Sequence, residues 1–230
     1  MTPYYDENGI TIYHGDCRDV LPTLETRSVD LVLTDPPYGI AVHTSGGPTS
    51  QPLRGMSRQT QGKRRWDRPI VGDDAPIDIT PLLRFERLVI FGGQHFADQL
   101  PLSRAWIVWD KREGRGSDFC SDCEMAWTNI GNRNRMYSQM WRGMICVGEE
   151  NGKTRLHPTQ KPVALMTWII EQHTKPGDLV LDPYMGSGPV ARACKNTGRR
   201  YIGCEIVETY CAIAVTRLQQ DVLHLEEVAV

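Results

Sequence analysis

Leu179-Val180-Leu181-Asp182-Pro183-Tyr184-Met185-Gly186-Ser187-Gly188-Pro189 is a short apolar run that ends in a glycine loop and restarts as a helix. The uninterrupted Leu-Val-Leu has the character of a strand buried on both faces. Gly186 and Gly188 let backbone come close to a ligand, and Pro189 suits a first helical turn, where its missing N–H costs nothing. A bare G-x-G is a weak signal, but the next apolar run, Tyr201-Ile202-Gly203-Cys204, ends in Glu205, at roughly the spacing used to hold a ribose hydroxyl pair. The arrangement suits a nucleoside cofactor; a tight turn followed by a buried acid is the plain alternative.

Outward from that unit, apolar runs alternate with helix-period segments in the manner of an α/β fold. Residues 11–14, 30–34, 87–91, 105–109, 178–181 and 200–204 read as strands. Residues 17–24, 77–84, 94–100, 163–173, 189–196 and 208–222 read as helices. Short β-branched runs flanked by Gly, Pro and Asp imply a mostly parallel, twisted, Rossmann-like sheet with helices on both faces and ligands at the carboxyl ends of its strands. Residues 41–75 and 112–156, rich in Gly, Ser, Arg, Asn and Gln, are too long for simple connections and read as functional insertions or mobile loops.

At 230 residues and 40% hydrophobic, the chain has length for one domain with a substantial core. A net charge of −2 exerts no global pull on nucleic acid, so any such partner needs a local patch. No apolar stretch reaches the ~18 residues of a membrane span, and Met1-Thr2-Pro3-Tyr4-Tyr5-Asp6 is too polar for a signal peptide, so a cytoplasmic protein without membrane contact is expected. Seven scattered cysteines argue for a reducing compartment. Cys120 and Cys123 have C-x-x-C spacing, yet no second pair follows, and no metal site is expected.

Asp35-Pro36-Pro37-Tyr38 follows the apolar Leu31-Val32-Leu33 and precedes Gly39. The prolines fix φ and disfavour helix before them, so the chain leaves its strand extended and rigid. The Asp35 carboxylate and the Pro36 carbonyl are then two acceptors, with the Tyr38 ring beside them as a stacking face, which together match a planar amino group on a base. A strand-ending turn is the competing reading, since Asp-Pro-Pro is common turn chemistry. Farther on, His157-Pro158-Thr159-Gln160-Lys161-Pro162 opens a helix; Thr159 could cap it, and Lys161 could meet a carboxylate there.

Taken in order, the tetrad at 35–38, the segment at 157–162 and the glycine loop at 182–188 resemble the DNA amino-methyltransferases that modify adenine N6 or cytosine N4 using S-adenosylmethionine. Catalytic before cofactor half, with a recognition region between, is similar to the permuted beta group. The resemblance runs from about residue 11 to about residue 218 and includes His14-Gly15-Asp16-Cys17, Phe91-Gly92-Gly93 and Trp106-Ile107-Val108-Trp109-Asp110. It implies a single methyltransferase domain: a catalytic half at 10–110 with a flexible basic loop at 41–75, a target-recognition insertion at 112–156, and a cofactor half at 157–220.

Carried onto this chain, the resemblance implies that Asp35 and the Pro36 carbonyl, in the frame set by Pro37, hold the target amine while Tyr38 stacks on an extruded base. Asp16, with Cys17 beside it, would face the cofactor adenine and Glu205 the ribose hydroxyls. Thr159 and Lys161 would lie near the methionine carboxylate, and Asp182, Tyr184, Gly186 and Gly188 would form the loop against the methionine end. Two positions depart from the family: Tyr184 replaces its usual Phe, and Pro189 replaces the Thr common after the last glycine, deleting a helix N-terminal donor.

For duplex DNA, residues 54–68 carry Arg54, Arg58, Lys63, Arg64, Arg65 and Arg68 around Trp66, a cluster able to neutralise phosphates and offer an aromatic wedge; a solvated loop is the bland alternative. Lys111, Arg112, Arg133 and Arg135 in the second insertion are candidate readers of base edges. The expected activity is N6-adenine methylation; the alternatives are N4-cytosine methylation and a non-catalytic DNA-binding module on the same fold. The resemblance leaves room for a homodimer and for a cognate restriction endonuclease as partner.

Overall fold

The computed structural model describes residues 1–40, 71–116, 121–142, 145–146 and 160–220. Nine strands form one sheet: β1 (Tyr5–Glu7), β2 (Ile10–His14), β3 (Leu31–Thr34), β4 (Leu88–Phe91), β5 (Ala105–Asp110), β6 (Cys123–Thr128), β7 (Arg135–Ser138), β10 (Leu179–Asp182) and β11 (Arg200–Glu205). Their spatial order is β1-β2-β11-β10-β3-β4-β6-β5-β7. A separate two-stranded ribbon pairs β8 (Trp141–Arg142) with β9 (Ile145–Cys146).

From β2 to β4 every neighbouring pair is parallel. β6 runs antiparallel to both β4 and β5. Parallel strands are buried on both faces, and β3, β4 and β10 accordingly read LVLT, LVIF and LVLD, with every residue buried. Alternation sends Leu31 and Leu33 to one face and Val32 to the other.

The first face is covered by three helices: α2 (Val163–His173), α3 (Pro189–Thr197) and α4 (Glu208–Gln219). Leu165, Met166, Ile169 and Ile170 of α2, Val190 and Ala191 of α3, and Ala214 and Leu218 of α4 join Leu31, Leu33 and Val180 in one apolar cluster. On the opposite face, α1 (Cys17–Val20) and short 3-10 turns pack Val20, Leu21, Leu82, Phe85 and Phe96 against Val32, Leu88, Ile90 and Leu181.

Strand and helix expectations hold within a residue or two for β2 to β5, β10, β11, α2 and α3. α4 stops at Gln219; residues 221 and 222 lie outside the described residues. Three segments read as helices shrink. Residues 17–24 form the single turn α1 and then a 3-10 turn over Leu21–Thr23, where Pro22 is placed early. Residues 77–84 keep only the 3-10 turn Thr80–Arg84, and residues 94–100 only Gly93–Phe96. Pro81 removes a donor from the former. Gln99 then bridges both pieces, accepting from Ile79 N at 2.8 Å and donating to Ile77 O at 3.0 Å, where a longer helix would use backbone.

The larger difference lies in residues 112–156, read as an insertion outside the sheet. Two of its pieces, β6 and β7, are sheet strands, and β6 is wedged between β4 and β5. Its burial switches from half-exposed at Cys123–Met125 to buried at Ala126–Thr128. That uneven pattern, with an acid in the exposed half, hides a strand from any period-2 reading.

Leu33 sits at the middle of the sheet, fully buried. Leu33→Ala is expected to cost about 2–5 kcal/mol, read as a lower midpoint in urea unfolding at unchanged slope.

Candidate active site

In an open parallel sheet, ligands gather where the strand order reverses. Here that point lies between β3 and β10: the chain leaves β3 towards β4 on one side and β10 towards β11 on the other. A cleft of about 1140 Å³ opens along these carboxyl ends. Asp16, Cys17, Gly186 and Glu205 line one end, and Asp35, Pro36, Pro37 and Tyr38 the other, with Tyr184 and Lys161 also on its wall.

At the first end, Glu205 accepts from Gly186 N through Oε2 and from Val207 N through Oε1, both at 2.8 Å. Burial pushes its carboxyl up, and these two N–H groups offset part of the rise. Asp16 caps α1, accepting from Arg18 N at 2.8 Å, and its other oxygen pairs with the Arg18 guanidinium at 2.6 Å. The Cys17 thiol is buried against the Tyr184 hydroxyl; burial raises it, and the hydrogen bond from that hydroxyl works against the rise.

Two loop residues also have structural contacts that the sequence reading did not foresee. Asp182 is 2% exposed and lies under the loop, accepting from the Thr34 hydroxyl at 2.7 Å and from Tyr184 N at 3.3 Å. It anchors the loop and does not line the main cleft. Gly188 caps α3 at φ +74, where a Cβ would stand 2.7 Å from the Ala214 Cβ. Its small size serves the approach of α3 to α4.

At the second end, Tyr38 donates its hydroxyl to Asp35 Oδ1 at 2.7 Å. Its ring stacks on His95 with centroids 4.7 Å apart and meets Phe96 edge-on at 6.2 Å. Burial, aided by the Asp35 charge, pushes the hydroxyl far above its ordinary range, so it stays a donor. Gly92, at φ +67, makes room for this ring: a Cβ there would fall 2.1 Å from it. Behind the tetrad, the buried Asp73 accepts from Tyr38 N at 3.0 Å, Gly39 N at 2.9 Å and Ile40 N at 3.4 Å. Sequence reasoning missed Asp73, which returns to the tetrad from 35 residues away with no local signal.

Lys161 has two carboxylate partners within the chain that the sequence reading did not foresee. Its ammonium donates to Asp35 Oδ2, lies 3.1 Å from Glu124 Oε2, and faces the Phe91 ring at 5.2 Å. Burial alone would lower its pKa; Asp35 and Glu124 reverse that and hold it well above the usual lysine value. Burial would raise Glu124, and Lys161 and Lys111 likewise outweigh it, leaving the carboxyl lowered.

Glu124 was not singled out as a site residue, because nothing in its neighbourhood marks β6 as reaching the cleft. Lys111 pairs with Glu124 Oε1 at 2.9 Å. Arg112 is only 5% exposed and lines the same cleft. Arg133 and Arg135 are exposed, the latter on the edge strand β7. Thr159, Arg54, Arg58, Lys63, Arg64, Arg65, Trp66 and Arg68 lie outside the described residues.

This geometry has counterparts. The structure is similar to the M1.HpyAVI–SAM complex, with a TM-score of 0.58 at 24% identity over 92% of this chain and 100% of that one. It is also similar to the cytosine-N4-specific PvuII DNA methyltransferase, with a TM-score of 0.61 at 15% identity over 95% and 89% of the two chains. The fold is thus the Rossmann-like methyltransferase fold. Residues 103–216 match the N6/N4 family model of DNA methylases. Two relatives match nearly end to end on this side: the Type II methyltransferase M2.DpnII of Streptococcus pneumoniae (24% identical, covering 95% of this chain and 93% of that protein) and M.HinfI of Haemophilus influenzae (28%, covering 91% and 68%). Over that segment the chain is similar to the N6/N4 DNA methylases, and over most of its length to these two Type II methyltransferases.

Burial pushes the Asp182 carboxyl from its ordinary 3.8 up to about 7. A carboxyl raised on folding keeps a proton that the unfolded chain releases, so its contribution to stability is complete below 3.8 and is lost as pH rises through about 7. Urea midpoints at about pH 5 and about pH 8 should therefore fall more steeply for the wild type than for Asp182→Asn; parallel trends would mean that Asp182 ionises without penalty.

Proposed function

We propose that this chain transfers a methyl group from S-adenosylmethionine to the N6 amino group of an adenine turned out of duplex DNA. The observation that carries the reading is that an amine acceptor, Asp35, and a nucleoside cradle, Glu205 with Gly186, share one continuous cleft. Its volume of about 1140 Å³ exceeds what one drug-sized ligand needs, leaving room for a nucleoside and a base together.

The donor set fits the cofactor. Each Glu205 oxygen accepts one backbone N–H, which leaves lone pairs for a ribose diol. Leu21, Ile206 and Val207 give apolar wall near Asp16 for an adenine ring. Both M1.HpyAVI, named as its complex with SAM, and this chain carry the same fold. When bound, S-adenosylmethionine supplies a sulfonium methyl as electrophile.

The chain's own residues prepare the nucleophile. An aromatic amine shares its lone pair with the ring and is a poor nucleophile until acceptors draw its hydrogens out of the ring plane. Asp35, with the Pro36 carbonyl beside it, serves as that acceptor pair. As bond formation proceeds, positive charge grows on the amine nitrogen, and the Asp35 carboxylate, pre-oriented by Tyr38 and Lys161, stabilises it without reorganising. The proton released from the methylated nitrogen passes to Asp35 or to solvent. Unstacking the base costs a few kcal/mol, offset in part by the aromatic surface at Tyr38.

Adenine is preferred on the aspartate form of the tetrad; the fold accommodates the other base too, as the cytosine-N4-specific neighbour illustrates. The same reading takes the exposed Arg133 and Arg135 and the basic residues 54–68 as DNA contacts, and places the chain in a restriction–modification setting with a cognate endonuclease and a second copy as further partners.

Incubation with unmethylated duplex DNA and S-adenosylmethionine, followed by digestion to nucleosides and mass analysis, is expected to yield N6-methyldeoxyadenosine. N4-methyldeoxycytidine instead would overturn the choice of base, and no methylated nucleoside would overturn the reaction. Asp35→Ala is expected to lower turnover by at least about 10²–10³-fold while cofactor binding persists.

A further inference from the structure

β6 is antiparallel between parallel neighbours, so its beginning lies at the edge of the sheet where β4 and β5 end. The register sets Glu124 opposite Trp109, two residues before Lys111. An acid near the start of the one reversed strand in this half of the sheet thereby reaches the cleft.

There it completes an alternating series of groups. Lys111 Nζ donates to Glu124 Oε1 at 2.9 Å, Glu124 Oε2 stands 3.1 Å from Lys161 Nζ, Lys161 donates to Asp35 Oδ2, and Asp35 Oδ1 accepts from Tyr38 at 2.7 Å. The Glu124–Lys161 contact, at 3.1 Å, is an ion pair less well aligned than the hydrogen bond that Lys161 donates to Asp35. Glu124 therefore acts on Lys161 chiefly by charge, and its own position is fixed by the aligned bond from Lys111.

We propose that Glu124 is a positioning residue for methyl transfer: through Lys161 it holds the Asp35 carboxylate in place while preventing the ammonium from being Asp35's alone. The proposal rests on the methyltransferase reading above. A Lys161 side chain 6% exposed and facing one carboxylate would form a closed, neutral pair, with Asp35 drawn onto the ammonium and weakened as an acceptor. A second carboxylate on the far side divides the ammonium's field. Asp35 then stays an anionic acceptor whose direction is set by Tyr38 on one oxygen and Lys161 on the other. The groups facing Lys161 are Asp35 and Tyr38 after β3, Glu124 on β6 and the Phe91 ring on β4; Lys111 after β5 and Asp182 on β10 act from behind Glu124 and Asp35.

The test compares wild type, Glu124→Gln, which keeps the shape and drops the charge, and Glu124→Asp, which keeps the charge, each checked for folding by thermal melting. Three quantities are read: affinity for S-adenosylhomocysteine by calorimetry, the single-turnover methylation rate against pH at saturating cofactor, and the pH titration of the Lys161 ammonium by nitrogen-15 NMR. Glu124→Gln should keep the affinity within about twofold and lose about 10- to 100-fold in rate. Its alkaline rate limb and the Lys161 titration should both move to lower pH, because a carboxylate that favours the ammonium is gone. Glu124→Asp should recover part of the rate. Should Glu124→Gln keep the wild-type rate and alkaline limb, or lose affinity with the saturated rate unchanged, the role of Glu124 is overturned. Should Glu124→Gln not fold, Glu124→Asp decides: a rate and a Lys161 titration lowered together support the proposal, and a change in either one without the other, or in neither, overturns it. The NMR arm needs no turnover, so an inactive wild-type chain, which would overturn the methyltransferase reading, is told apart from an active one indifferent to Glu124.

Discussion

The Thr34 hydroxyl donates to the Asp182 carboxylate at 2.7 Å, across 148 residues of chain, and ties together the ends of β3 and β10. The chemistry depends on this adjacency. β3 delivers Asp35 one residue after Thr34, and β10 delivers the glycine loop directly after Asp182. The parallel pairing of the two strands, Val180 with Leu31 and Leu181 with Val32, fixes how far each reaches past the sheet edge. A one-residue slip would turn every side chain of β3 to the other face, sending Leu31 and Leu33 into the packing shaped for Val32 and moving Asp35 along the sheet edge. The buried carboxyl under the loop is thus the peg that keeps the tetrad and the glycine loop in register.

The charges at the cleft are not there for stability. Buried ion pairs offset their desolvation only with good geometry, and replacing them by apolar groups is often neutral or better. Lys161 nonetheless sits between two carboxylates, with its side chain 6% exposed. A buried ammonium held this firmly is an orienting device: it fixes a carboxylate whose direction matters more than its burial. Tyr38 is fixed in the same spirit, by His95 on its face, Phe96 at its edge and the bare Gly92 beneath it. Preorganised partners of this kind lower a barrier because they need not move as charge develops.

Much of the frame was legible in the residues. Strands such as LVLT and LVLD announce burial on both faces, and α2 was readable to the residue because Pro162 starts it and its apolar period is regular. The tetrad and Glu205 could be read as acceptors at strand ends, and both line the one cleft. What stayed hidden depends on long-range pairing. β6 carries Glu124 within an uneven pattern, and only its pairing with β4 and β5 makes it a strand. Lys161 was readable as a charged residue at a helix start, but its partners lie 126 residues away at Asp35 and on β6 at Glu124. Asp182 and Gly188 were legible as a loop, while which of them faces the cleft depends on Thr34 and Ala214.

Asp73 gives the basic segment 41–70 a fixed attachment to the tetrad. The chain leaves the described residues after Ile40 and returns at Val71, and the Asp73 carboxylate accepts from the N–H groups of Tyr38, Gly39 and Ile40. Both ends of the excursion therefore meet at one buried carboxylate. Gly39, at φ +70, lets the two strands of chain touch: a Cβ there would stand 2.7 Å from the Ala75 carbonyl oxygen. The placement of Asp73 carries a functional consequence. The pinned backbone is that of Tyr38 itself, whose hydroxyl holds Asp35, so Asp73 sets the backbone from which the Asp35 partner projects.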